Sequence, residues 1–150
     1  MSVLAKEYSN LDRALDEVRT VIETWSGSID GSAELNGETI QYTQLVLHEW
    51  IANLLQHADF DEHPPSLRIR LAYEDRQIRC VVVDNSSGFD LTDRLPAEQE
   101  AMDSLPERGM GLRIIDACTD TLSYAPTDSG RHRFEFSIPA DHDPWLSMLF

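Results

Sequence analysis

At Leu67 the hydrophobic period of the chain changes from about four residues to two, and that change limits what it can fold into. Leu67, Ile69, Leu71 and Tyr73 alternate with Arg68, Arg70 and Glu74, the pattern of a half-buried strand. Glu74-Asp75-Arg76-Gln77 forms a turn, and Ile78 to Asp84 continues as a second, more apolar and therefore more central strand. Pro64-Pro65 separates this hairpin from what precedes it. Upstream the period is helical. Leu11, Leu15, Val18, Ile22 and Trp25 predict an amphipathic helix over 10–26, with Asn10 as N-cap. Ser26-Gly27-Ser28 ends it, residues 27–37 read as an exposed loop, and a second helix is expected from Gly37 to Ala58. Residues 3–8 read as a short edge strand.

Downstream, residues 85–108 have Gly, Pro, Asp and Ser but little periodicity. A loop of that length is usually functional or disordered. A short helix is expected at 110–118, then strands at 120–126 and 131–138 around the turn Thr127-Asp128-Ser129-Gly130. Phe134, Phe136 and Ile138 alternate on the last strand. This order predicts an α+β two-layer sandwich, a mixed but mostly antiparallel sheet covered on one face by about three helices. The 150 residues suit one domain, 1–150.

Charge narrows the partners. Twelve Lys and Arg stand against 27 Asp and Glu, a net charge of −15. Such a surface repels nucleic-acid backbones and anionic lipid, so direct nucleic-acid and membrane binding are not expected. The N-terminus has no basic patch followed by an apolar core, and no apolar run is long enough to span a bilayer. Cys80 and Cys118 stand apart in apolar settings, read as buried, reduced thiols of a cytoplasmic protein.

Three constellations carry chemistry. Glu49, Asn53 and His57 are spaced i, i+4, i+8, one stripe on a helix beside the apolar face of Leu47, Trp50, Ile51, Leu54 and Ala58. A carboxylate there can serve as general base, and an Asn oxygen is a hard ligand for Mg²⁺. Alone, the stripe is equally the polar flank of an amphipathic helix. In Asp84-Asn85-Ser86-Ser87-Gly88-Phe89, Asp84 closes the apolar run Val81-Val82-Val83 and can accept a hydrogen bond from an exocyclic amine. Alone, this is an ordinary turn. In Glu107-Arg108-Gly109-Met110-Gly111-Leu112-Arg113, two glycines precede an apolar helix. Free N–H groups at such a start can cradle phosphate, while Arg108 and Arg113 supply cations. Alone, it is a plain loop-to-helix junction.

In this order the three resemble the N-box, G1 box and G2 box of the GHKL superfamily of gyrase, chaperone, histidine-kinase and mismatch-repair ATPases. Glu49-Trp50-Ile51-Ala52-Asn53-Leu54-Leu55-Gln56-His57-Ala58 has the form ExxxNxxxHA, similar to that of bacterial anti-sigma-factor serine/threonine kinases. The resemblance covers about residues 40–138 and implies the Bergerat-type ATP-binding fold with ATP and Mg²⁺. It implies that Glu49 activates the attacking hydroxyl or water, Asn53 holds Mg²⁺ and Asp84 reads the adenine amine. It further implies that Gly88 lets the backbone approach the nucleotide, that Gly109, Gly111 and neighbouring amides face the phosphates, and that residues 91–108 form a lid. The set of nucleotide-contacting positions is then Asn53, His57, Asp84, Ser86, Gly88, Gly109, Met110, Gly111 and Leu112, to which Arg108 is added as a phosphate contact on its charge and place alone, not by the resemblance. The family pattern in the G1 box is DxGxG, and here Ser86 replaces its first Gly. A Cβ at that point is expected to restrict the turn or crowd the base and so weaken ATP binding.

By that resemblance the chain transfers the γ-phosphoryl of Mg-ATP to a Ser or Thr of an anti-sigma-factor antagonist, sequesters a sigma factor, and forms a homodimer. Two alternatives stand beside it. One is a nucleotide-dependent or nucleotide-free partner-binding module without kinase activity, which Ser86 favours. The other is a histidine-kinase-like ATPase domain. Trp145 to Phe150 is an apolar tail, expected to pack on the chain's own body, with a dimer or partner contact as the alternative. His48, His63, His132 and His142 share no ligand spacing.

Overall fold

The computed structural model describes residues 2–29, 35, 37–88, 115 and 118–140. Along the chain run β1 (Ser2–Tyr8), α1 (Leu11–Gly27), α2 (Gly37–His57), β2 (Leu67–Glu74), β3 (Gln77–Asp84), β4 (Thr121–Pro126) and β5 (His132–Pro139). The expected helix at 110–118 falls mostly outside the described residues. Its described positions, Ile115 and Cys118, are helical and buried.

The strands form one sheet in the order β1-β2-β3-β5-β4, and every described neighbour pair is antiparallel. The β2–β3 turn places Asp75 and Arg76 both at positive φ, 53° and 58°, as a two-residue primed hairpin turn requires. β5 lies between β3 and β4, so the connection from β3 to β4 skips one strand position.

Directly opposed residues in an antiparallel sheet share a face. The register therefore stacks rows across the sheet: Ile69, Val82 and Phe134 in one, Leu71, Cys80 and Phe136 in the next, Tyr73, Ile78 and Ile138 in a third. All but Tyr73 are buried. At the other end the row is Tyr8, Leu67, Asp84 and His132. One carboxylate, with His132 beside it, thus stands at the end of these largely apolar rows.

The two helices cover this face. α1 begins at Asn10, whose Oδ1 accepts from the Arg13 N–H at 3.1 Å, and buries Leu11, Ala14, Val18, Ile22 and Trp25. α2 buries Val46, Leu47, Trp50, Ile51 and Leu54. Each fully buried side chain of this kind contributes about 1.5–3 kcal/mol. The Trp50 ring stacks on Phe134 with centroids 3.9 Å apart and planes 9° apart, and meets Tyr124 edge-on at 5.1 Å. The first turn of α2 is pinned where β5 ends, since the Thr39 hydroxyl lies 3.0 Å from the carbonyls of both Pro139 and Ala140. α1 is tied to α2 by Gln44, whose Nε2 donates to the Arg19 carbonyl at 3.0 Å.

Both cysteines are free and buried. Loss of hydration raises both thiols, Cys118 to about 12 and Cys80 well above its ordinary value. They are inert core groups. No helix among the described residues is long and apolar enough to cross a membrane.

Candidate functional site

α2 starts near the end of β5 and runs back toward its beginning, passing Phe134 at Trp50. Its polar stripe Glu49, Asn53 and His57 therefore climbs toward the sheet end that holds Asp84 and His132. All three stripe residues are half-buried, as positions bordering a packed face must be. The Asn53 Nδ2 donates to the Glu49 carbonyl one turn back at 2.8 Å. With the nitrogen committed to the helix, the amide oxygen is the end left for a cation.

The turn after β3 is built from side chain–backbone bonds. Asp84 is fully buried. Its Oδ1 accepts from the Ser86 N–H at 2.9 Å and from the Ser86 hydroxyl at 2.5 Å. Its Oδ2 is buried and has no hydrogen-bond partner among the described residues. Burial raises the Asp84 carboxyl above its ordinary value, against the opposing pull of the Ser86 bonds and of the charges on His132 and Arg131. A buried carboxylate oxygen without a donor is costly, and a ligand N–H is the natural group to satisfy it.

Asn85 turns outward and splices the turn to the segment before β2. Its Oδ1 accepts from the Ser66 N–H at 2.7 Å, and its Nδ2 donates to the Pro64 carbonyl at 2.9 Å. Ser87 reaches the residues just past α2, its N–H and hydroxyl donating to the Asp59 carbonyl at 2.7 and 3.1 Å. Gly88, at φ +82°, donates its N–H to the Ser86 hydroxyl oxygen at 3.1 Å. A Cβ at Gly88 would lie 2.4 Å from Nε2 of His132, so this position excludes a side chain on both backbone and steric grounds. Ser86 is not among the described non-glycine residues at positive φ. Its Cβ therefore carries no left-handed backbone strain in the turn as it stands.

His132 is the contribution that sequence spacing missed. Its Nδ1 lies 3.1 Å from the Ser86 carbonyl oxygen, and its ring stacks on Tyr124 at 5.5 Å. Arg131 beside it donates to the Ser66 hydroxyl at 3.4 Å. The only signal for either was the register of two strands, which no local motif carries. Tyr124 touches both Trp50 and His132, so an aromatic path joins the apolar face of α2 to the turn. Arg108, Gly109, Met110, Gly111 and Leu112, together with the expected lid at 91–108 and the tail at 145–150, lie outside the described residues. Among the described residues no group of three or more His, Cys, Asp or Glu is placed to hold a metal. Asn53 would be a single protein ligand, which suits Mg²⁺ that takes its other ligands from phosphates and water.

The histidine kinase-like ATPase domain model matches residues 8–132, from the end of β1 to the start of β5. The chain belongs to this family. It is 28% identical over 89 residues to the serine/threonine-protein kinase BtrW of Bordetella bronchiseptica, a match covering 59% of this chain and 63% of that protein. The chain thus spans less than two thirds of that relative's length. Among solved structures, the histidine kinase domain of the blue-light activated histidine kinase EL346 of Erythrobacter litoralis matches with a TM-score of 0.50 and 17% identity. That match covers 82% of this chain and 61% of the other. It supports the expected α+β fold, an open antiparallel sheet backed by helices.

Proposed function

We propose that this domain is a Mg-ATP-dependent serine/threonine protein kinase of the anti-sigma-factor type, which phosphorylates an anti-sigma-factor antagonist and sequesters a sigma factor. The observation that carries the nucleotide part is the buried Oδ2 of Asp84 at the sheet end, without a partner among the described residues, beside a glycine that keeps the backbone open. An adenine 6-amino group supplies the missing donor. Kinship with a serine/threonine-protein kinase and the ExxxNxxxHA stripe support the choice of acceptor.

In this reading Asp84 holds the base, Gly88 lets the backbone close on it, and His57 borders the nucleotide from the end of α2. Asn53 presents its oxygen to Mg²⁺. The metal, when bound, offsets phosphate charge in a strongly acidic protein. Arg108 and the amides around Gly109, Met110, Gly111 and Leu112 face the phosphates. Glu49 takes the proton from the acceptor hydroxyl as the oxygen attacks the γ-phosphorus, and ADP leaves. Catalysis is then largely positioning and charge stabilisation. The protein works in the cytoplasm as a homodimer, exchanging the two protein partners.

Calorimetry with Mg-ATP tests the site, wild type beside Asn53→Ala and Asp84→Ala. Wild type binds and both variants lose most of their affinity. No binding by wild type at millimolar ATP would sink the reading. Transfer of label from γ-labelled ATP to a candidate antagonist, absent in Glu49→Gln, then separates a kinase from a module that only binds.

A further inference from the structure

A groove of about 310 Å³ opens on the helix side of the molecule, where the start of α1 meets the end of α2. Leu11 and Leu54 line it and are buried. Leu55, Ala58, Phe60 and Pro65 line it from nearer the surface. Leu55 is 38% exposed, one of two large apolar side chains left so among the described residues. The walls are fixed before anything binds. The Asn10 cap holds the first turn of α1. The Ala58 N–H donates to the Leu54 carbonyl at 3.1 Å, and the His63 N–H to the Phe60 carbonyl at 2.9 Å. Between them, Oδ1 of Asp59 accepts from the Asp61 N–H at 2.8 Å, while the Asp59 carbonyl is held by the N–H and hydroxyl of Ser87.

The rim is acidic. Asp12 lines the groove, and Asp59 and Asp61 flank Phe60 in the chain and are exposed. None of the three is in an ion pair among the described residues. Arg13, next to Asp12 in the chain, pairs with Glu17 at 3.3 Å. From Thr20 to Leu67 the chain has no Lys or Arg, so α2 and both its flanks bring carboxylates and no permanent cation.

We infer that this groove is a docking site for a basic amphipathic segment of a partner protein, with apolar side chains seated against Leu11, Leu54, Leu55 and Phe60 and Lys or Arg set against Asp12, Asp59 and Asp61. The inference stands apart from the nucleotide reading above. An apolar centre that sheds water and a charged rim that steers and orients is the usual division of work in a protein interface. A preformed groove costs little ordering on its own side. A second copy brings the same net charge of −15 and meets this rim with repulsion. The chain's own apolar tail, Trp145 to Phe150, follows Asp141 and Asp143 and has no cation, so it lacks the complementary charge.

The test titrates the ¹⁵N-labelled protein, in near-physiological salt, with three capped peptides of equal length. The first sets leucines at helical spacing among lysines and arginines. The second has serine for each leucine, and the third has glutamate for each cation. The first peptide moves the amides of Leu55, Ala58 and Phe60, and the other two bind at least about tenfold more weakly. Leu55→Asp weakens the first peptide at least about tenfold although it adds attractive charge. Asp12→Asn combined with Asp61→Asn weakens it about threefold and flattens its salt dependence. Thermal melts check that the variants fold. Equal binding of the serine peptide overturns the inference, because charge alone then suffices. Equal binding of the glutamate peptide overturns it, because the rim then selects nothing. So does unchanged binding by Leu55→Asp, or no binding of the first peptide at millimolar concentration. Displacement of the first peptide by a lower concentration of a peptide of residues 141–150 makes the occupant the chain's own tail. A changed oligomeric state of Leu55→Asp in sedimentation makes it a second copy, and either result sinks the inference.

Discussion

The two ends of the α2–sheet contact are held by different physics. Around Trp50, Phe134 and Phe136 the contact is apolar and aromatic, with side chains fully buried. At Asp84 to Gly88 it is a mesh of hydrogen bonds reaching the segment before β2, the residues after α2 and the first residue of β5. The apolar end depends on volume. The polar end depends on direction, and among the described residues it leaves the buried Oδ2 of Asp84 without a donor. A packed aromatic pair stabilises whether or not a ligand is present, whereas a half-satisfied polar mesh has something to gain from one.

If this contrast is right, substitutions at the two ends separate stability from binding. Trp50→Ala removes a ring stacked on Phe134 and leaves a cavity under α2. A loss of about 3–5 kcal/mol is expected in urea unfolding, with ATP affinity of the remaining folded molecules changed much less. Gly88→Ala forces a Cβ onto the His132 ring at a positive φ. It costs about 2 kcal/mol and removes ATP binding, so a variant that binds normally would break the contrast. Asn85→Ala strands the Ser66 N–H and the Pro64 carbonyl. A loss on the order of 1 kcal/mol is expected, with lowered ATP affinity, because the turn loses its tie to β2 while the core stays whole.

The smallest effect is the most diagnostic. The raised Asp84 carboxyl keeps its proton in the folded state to higher pH than in the unfolded chain. Between those two values the native state binds more protons, so stability falls as pH rises through the folded value and levels off above it. Asp84→Asn removes this slope, and at neutral pH it is equal to or more stable than wild type by on the order of 1 kcal/mol. Melts from pH 4 to pH 8 check it. A wild type that instead gained stability over the same rise would show that Asp84 is well paired in the folded state, and the contrast between the two ends would fail.

Period and punctuation made the elements legible. The helix over 10–26 with its Asn10 cap, the hairpin at Pro64-Pro65 and beyond, and the alternating last strand lie within a residue or two of where they were expected. These are local properties, since a hydrophobic period decides which face of a helix or strand is wet. The stripe on α2 and the acidic end of β3 were legible for the same reason, as fixed spacing on one element. For Ser86 the pattern showed a departure from glycine, and only the structure showed its φ and its hydroxyl partners.

The sequence by itself determined most of the elements, the acidic surface, the spacing of the three motifs and, through the family match over 8–132, the class of domain. Only the tertiary structure decided that β5 inserts beside β3. That placement sets His132 opposite Asp84, brings Tyr124 between Trp50 and His132, and leaves one oxygen of Asp84 buried without a donor among the described residues. The physical reason is sequence distance. Asp84 and His132 are joined by a strand register, and register is fixed by the apolar rows of the whole sheet rather than by any residue near either of them.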